Sequence, residues 1–200
     1  MGTGPSLNST NLDLLDGEIV FGTNSCYNLP HVDFTYFCVV DLCVAQNHSG
    51  QLLKFLDEHE DLIAFVHPRV GEVAIKNHGR MSRMFPIDMD WDKGKWGDLE
   101  CIPCTGRTVV IFALQVAYYM GFEEVYLLGC DCSYGKDPSQ HHFDGSPVDN
   151  YLREDWSCIY DEYRNALNRY RQKGKKIINC TVGGNLEVFS RMPLEEVCFS

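Results

Sequence analysis

Short apolar runs alternate with longer amphipathic stretches along this chain, the pattern from which a parallel sheet covered by helices is built. The runs Glu18 to Gly22 (E-I-V-F-G), Tyr36 to Val40, Leu62 to Val66, Val125 to Leu128 and Lys176 to Asn179 have strand length and end at turn formers or charges. Helical spacing predicts helices over Ser49 to His59, Thr108 to Met120 and Asn150 to Lys173. The last carries Trp156, Ile159, Tyr160, Tyr163, Leu167 and Tyr170 at helical spacing, which reads as a core-facing stripe, and Gly174 stops it before the next strand. The stretch from Pro68 to Pro103 is less periodic and reads as a surface excursion around Asp88 to Lys95, either a lid or acceptor-side loop or an ordinary insertion. The expected fold is α/β and Rossmann-like, a mostly parallel sheet with helices on both faces, in a single domain over residues 1–200.

Composition narrows the function classes. A hydrophobic fraction of 44% with 12% aromatics is enough for one sizeable core. Acidic residues number 28 against 17 basic ones, and the resulting charge of −11 has the wrong sign for a protein that neutralises nucleic-acid phosphates. No apolar run reaches the roughly 18 to 20 residues that cross a bilayer, and the N-terminus lacks the basic and apolar regions of a signal peptide. The expectation is a soluble, cytoplasmic protein without a transmembrane segment or a nucleic-acid partner, and with room for an oligomer. Ten cysteines raise three alternatives: buried structural thiols, a metal site from Cys101-x-x-Cys104 with Cys130-x-Cys132, or disulfides. Structural thiols fit best, because Cys38, Cys43, Cys180 and Cys198 lie in or beside apolar runs and the Cys130 pair is spaced too tightly for a usual zinc knuckle.

Three constellations can carry chemistry. In Gly2-Thr3-Gly4-Pro5-Ser6-Leu7 the glycines permit a tight turn and close backbone approach, and the Ser6 hydroxyl can meet a phosphate or cap the following segment. Such turns normally follow a first, central strand, whereas only Met1 precedes this one; the reading is a domain that lacks that strand, or one in which another element fills its slot. The second constellation is Thr105-Gly106-Arg107-Thr108 leading into an apolar helix, then a tight turn, a strand, and Asp131 just past the strand end. Helix-terminal amides and hydroxyls there can bind a donor phosphate, or the threonine can simply cap the helix. A carboxylate at a strand's C-terminal end, where open α/β sheets place ligands, can bind a ribose hydroxyl, a metal or a substrate hydroxyl. The third is Ser133-Tyr134-Gly135 followed by His141-His142-Phe143-Asp144-Gly145, whose histidines can deprotonate an acceptor hydroxyl or be ordinary loop residues.

Taken together, G-T-G-P-S-L, T-G-R-T with its helix, G-F-E-E-V-Y-L-L-G-C-D-C-S-Y, H-H-F-D-G and N-C-T-V-G-G-N-L-E-V-F-S-R resemble the domain-of-unknown-function family that includes archaeal 6-hydroxymethylpterin diphosphokinase. The first two blocks are also similar to those of bacterial lipooligosaccharide sialyltransferases, which share a Rossmann-like nucleotide-sugar fold and work without metal. That second resemblance implies that Gly2, Gly4, Ser6 and Asn24 hold a cytidine nucleotide, and Thr3, within the same turn, is counted with the nucleotide-binding residues. It implies that Asp41 meets the donor, with a carboxylate where those enzymes carry asparagine, and that His142, with His141 as understudy, is the general base.

Three readings follow. In the leading one the chain is a glycosyltransferase: a nucleotide sugar lies across the strand ends, His142 activates a small-molecule or glycan acceptor, and the region of Thr105, Gly106 and Thr108 stabilises the departing phosphate without a cofactor. In the second, ATP donates pyrophosphate to a hydroxymethylpterin, with Mg²⁺ held by Asp41 and Asp131 and Tyr134 stacked on the pterin. In the third, the chain binds a nucleotide without turning it over.

Overall fold

The computed structural model describes residues 1–41, 44, 49–78, 83–88, 108–133, 137, 140–145 and 157–197. Among these residues seven strands form in chain order: β1 (Phe21–Thr23), β2 (Tyr36–Val39), β3 (Ile63–Val66), β4 (Met84–Pro86), β5 (Glu124–Leu127), β6 (Lys176–Asn179) and β7 (Ser190–Arg191). They make a four-stranded sheet in the order β1-β2-β3-β4 and a three-stranded sheet in the order β5-β6-β7. Every pairing is parallel, so all strands of a sheet present their C-terminal ends along one edge. Among the described residues four α-helices cover them: α1 (Ser49–Glu58), α2 (Pro68–His78), α3 (Val109–Tyr119) and α4 (Ser157–Gln172).

Side-chain alternation assigns the faces. On β2, Phe37 and Val39 join Leu52 and Phe55 of α1 and Val70 of α2 in one core cluster. The intervening Cys38, with Val40 just beyond the strand, joins Val109, Phe112, Ala113 and Val116 of α3 in another. The second sheet alternates in the same way. Leu127 and Ile177 pack with Tyr163, Ala166 and Tyr170 of α4, while Leu128, Ile178 and Cys180 pack with Leu7 and Leu194 on the opposite face. A period of two with both faces covered is what a buried parallel sheet requires. The α/β, Rossmann-like arrangement expected from the sequence is present.

Helix α3 holds the two halves together, and its sequence shows why it can. Nine consecutive residues, from Val109 to Ala117, are buried. One of its faces serves the first sheet through Phe112 and Val116, and another serves the second through Ile111 and Leu114. A helix apolar all round is a central one. It starts at Thr108, whose Oγ1 accepts from the Val110 amide at 3.4 Å, and its Leu114 carbonyl accepts a 2.8 Å hydrogen bond from the buried Tyr170 hydroxyl of α4.

Part of the expected excursion after residue 67 is regular structure instead. Pro68 opens α2, where a missing amide hydrogen costs nothing, and the Arg69 amide donates to His67 Nδ1 at 3.2 Å. Gly71 and the β-branched Val70 and Val73 weaken the helical signal there. The three-residue β4 and two-residue β7 are too short to show a period of two. The remainder of the excursion, the Cys101 and Cys104 pair, Cys43, Cys198 and the first turns of the expected last helix lie outside the described residues. No helix among the described residues is long and apolar enough to cross a membrane.

Candidate functional site

The glycine-rich turn is bound to the end of β5 by its own backbone. The Gly2 amide donates to Leu128 O and the Gly4 amide to Gly129 O, both at 2.8 Å. Ser6 then closes the turn on Asp131: its amide reaches Oδ1 at 3.1 Å and its hydroxyl reaches Oδ2 at 2.6 Å, across 125 residues of sequence. Asp131 is buried, and a buried carboxylate is tolerable when donors of this kind satisfy it. The glycines are required by proximity. A Cβ on Gly2 would stand 2.5 Å from Gly129 O, and one on Gly4 would stand 1.9 Å from Asp131 Oδ2. The Ser6 hydroxyl and these three amides therefore hold the turn against the strand end.

The same turn fixes a histidine. Thr3 Oγ1 lies 2.7 Å from His142 Nδ1, and the Phe143 amide donates to Thr3 O at 2.9 Å. Asn8 Nδ2 donates to Phe143 O at 2.9 Å, and Asn28 Nδ2 donates to Asp144 Oδ2 at 3.0 Å, so the C-terminal half of H-H-F-D is tied down as well. Burial holds the His142 pKa below the ordinary imidazole value; the nearby Asp144 carboxylate opposes this and His141 adds to it. At neutral pH the ring is uncharged, with Nδ1 oriented by Thr3 and Nε2 the nitrogen left for an acceptor. His141 beside it is buried.

Asn24 completes the first strand's contribution. It follows Thr23, the last residue of β1, with a φ of 45° in the left-handed region that asparagine tolerates better than most residues. Its Oδ1 is buried and has no hydrogen-bond partner among the described residues. An unpartnered buried acceptor costs about 1–3 kcal/mol, which an N–H group of a ligand would relieve. Thr23 Oγ1 donates to Met1 O at 2.7 Å, linking this strand end to the turn. Asp41 lies two residues past β2 on the same strand-end edge.

Of the residues expected to act together, Gly2, Thr3, Gly4, Ser6, Asp131 and His142 are joined by direct contacts, with Asn24 one residue beyond the Thr23 link. Thr108 caps α3, while Thr105, Gly106 and Tyr134 lie outside the described residues. Two contributors were not singled out from sequence. The Asn185 amide donates to Asp131 O at 2.7 Å. Gly184, at a φ of +74°, approaches so closely that a Cβ would stand 2.5 Å from the same oxygen. The Gly183-Gly184 pair just past β6 was the available signal.

The chemistry is that of a polar strand-end edge with one neutral, oriented imidazole. Among the described residues no group of three His, Cys, Asp or Glu side chains is placed to hold a metal ion. Burial pushes the thiol of Cys130 up to about 11 and that of Cys132 to about 12, so both stay protonated at neutral pH. Comparison with known proteins adds no relative: no family model matches the chain, and no curated protein or solved structure matches it.

Proposed function

We propose that this chain is a nucleotide-dependent transferase, read most concretely as a glycosyltransferase that moves a sugar from a nucleotide donor to an acceptor hydroxyl. The observation that carries the reading is the Thr3 and His142 contact at 2.7 Å on the turn that caps β5. With Nδ1–H donated to Thr3 Oγ1, Nε2 holds a lone pair and takes the acceptor's proton as its oxygen bonds to the sugar's anomeric carbon. The bond from that carbon to the nucleotide phosphate breaks in the same step, and the phosphate leaves with the electron pair. Asn24 supports a nucleotide site, because its buried Oδ1 suits an amino or amide N–H of a base. Asp131, with both oxygens accepting from Ser6, is a positioning residue in this reading. The resemblance of the sequence to sialyltransferases supports a cytidine donor used without metal.

The test is a thermal-shift series with cytidine, uridine, guanosine and adenosine nucleotides, each with and without Mg²⁺, followed by donor hydrolysis in the stabilising condition. Metal-free stabilisation by a cytidine nucleotide is expected, together with hydrolysis that falls at least a hundredfold in His142→Ala while stabilisation persists. Stabilisation by ATP only with Mg²⁺ would replace this reading with pyrophosphoryl transfer. Hydrolysis that survives His142→Ala would remove the base.

A further inference from the structure

The 3₁₀ turn Asn24–Asn28 that follows β1 carries two buried polar atoms without a hydrogen-bond partner among the described residues, Asn24 Oδ1 and the Tyr27 hydroxyl. They stand three positions apart, one turn of such a helix. The residues between and beyond them are engaged. Ser25 and Cys26 are buried, Cys26 Sγ donates to Gly2 O at 3.3 Å, and Asn28 Nδ2 donates to Asp144 Oδ2 at 3.0 Å. This short turn is therefore pinned to the glycine-rich turn and also to the loop that carries His142, the two pieces that meet in the candidate site.

Tyr27 is held by its ring, which packs on Phe55 of α1 with centroids 6.2 Å apart. Burial pushes the hydroxyl above the ordinary phenol value; the Asp144 carboxylate adds to the shift, and the Asn28 amide opposes it from outside hydrogen-bond geometry. The group keeps its proton at neutral pH and is a donor, whereas Asn24 Oδ1 can only accept. Each unpaired atom works against folding, and a phenylalanine at position 27 would keep the ring packing without that penalty. The penalty is relieved when one partner brings an acceptor to Tyr27 and a donor to Asn24. A phosphate has no proton to give Asn24. The edge of a nucleobase, with an N–H and a lone pair fixed on one rigid plane, supplies both.

We propose that Tyr27 is a specificity-determining residue of the site, its hydroxyl donating to a ring nitrogen or carbonyl oxygen of the nucleobase whose N–H donates to Asn24 Oδ1. The proposal rests on the nucleotide-binding part of the function proposed above and is independent of the transfer step. Cytosine meets the pair with its amino group toward Asn24 and its ring nitrogen or carbonyl toward Tyr27. Because Asn28 and Cys26 tie the same short turn to the His142 loop and to Gly2, a base held here is positioned relative to the histidine by the turn's own hydrogen bonds.

The test measures, by calorimetry on the full chain, binding of cytidine, uridine, guanosine and adenosine 5′-monophosphates and of ribose 5-phosphate. The parent is compared with Tyr27→Phe and with Asn24→Gly, in which glycine takes the φ of 45° freely. The best-bound nucleotide is expected to bind each variant about fivefold more weakly, the effect of one lost hydrogen bond. Ribose 5-phosphate, weaker throughout, is expected to be indifferent to both substitutions. Without nucleotide, Tyr27→Phe is expected to melt at or above the parent's temperature. Nucleotide binding unchanged in Tyr27→Phe, or an equal loss for ribose 5-phosphate, overturns the proposal. So does a lower melting temperature of the free variant, which would mean that the hydroxyl is already satisfied, and so does a parent that binds none of the four nucleotides. Binding that depends on Tyr27 in a chain that hydrolyses no donor supports the proposal and removes the transferase reading.

Discussion

Replacing Gly4 by alanine isolates the contact between the turn and Asp131. Gly4 has φ −66° and ψ 154°, a conformation any residue adopts, so alanine meets no backbone strain. By restricting the unfolded chain it would on its own stabilise the protein by about 0.4–1 kcal/mol. The new Cβ, however, would stand 1.9 Å from Asp131 Oδ2 and 2.8 Å from Gly129 O. Asp131 must withdraw, and the two Ser6 hydrogen bonds go with it, each worth about 1.5–3 kcal/mol as a bond to a charged group. Allowing for the entropic gain and partial relaxation, the net loss is about 3 kcal/mol. In a domain of this size that lowers the melting temperature by about 6–12 °C. The assay is urea denaturation of the variant beside Gly50→Ala, whose added Cβ in α1 meets nothing within 4 Å and which gains about 0.5–1 kcal/mol. The Gly4→Ala cost should at least halve in an Asp131→Ala background, since the two sites share one contact. A Gly4→Ala protein as stable as the parent, or a cost unchanged without the Asp131 side chain, would refute this account of the turn.

Two other outcomes follow from buried groups. Tyr170→Phe removes the 2.8 Å hydrogen bond to Leu114 O without changing shape, so denaturation should report a loss of about 1 kcal/mol with an unchanged m-value. For His142 the folded pKa lies below the ordinary value of 6.5 that the unfolded chain retains, so the unfolded state takes up the proton first. Its contribution is complete above pH 6.5 and is lost as pH falls toward the folded pKa. The acid-side slope of stability against pH should therefore flatten in His142→Gln, and an NMR titration should place the ring's midpoint below 6.5; a midpoint at or above it would contradict the burial argument.

Periodicity alone determined much of the architecture. Lys176–Asn179 coincides with β6, and Tyr36–Val39, Ile63–Val66 and Val109–Tyr119 differ from the expected spans by a residue at one or both ends, because the buried positions of each element leave an apolar run in the sequence. The cap at Thr108 and the stop at Gly174, with its φ of +72°, were likewise legible, since each depends on one residue's own chemistry. What only the tertiary structure decided is what the polar residues do. Ser6 reads as a phosphate ligand or a cap of the following segment until Asp131, 125 positions away, is seen to accept from it. Nothing near His142 in sequence indicates that Thr3, 139 positions away, orients its ring. The physical reason is one of range: burial leaves a local periodic record in the chain, whereas a hydrogen bond between distant segments leaves none in either partner until the fold brings them within 3 Å.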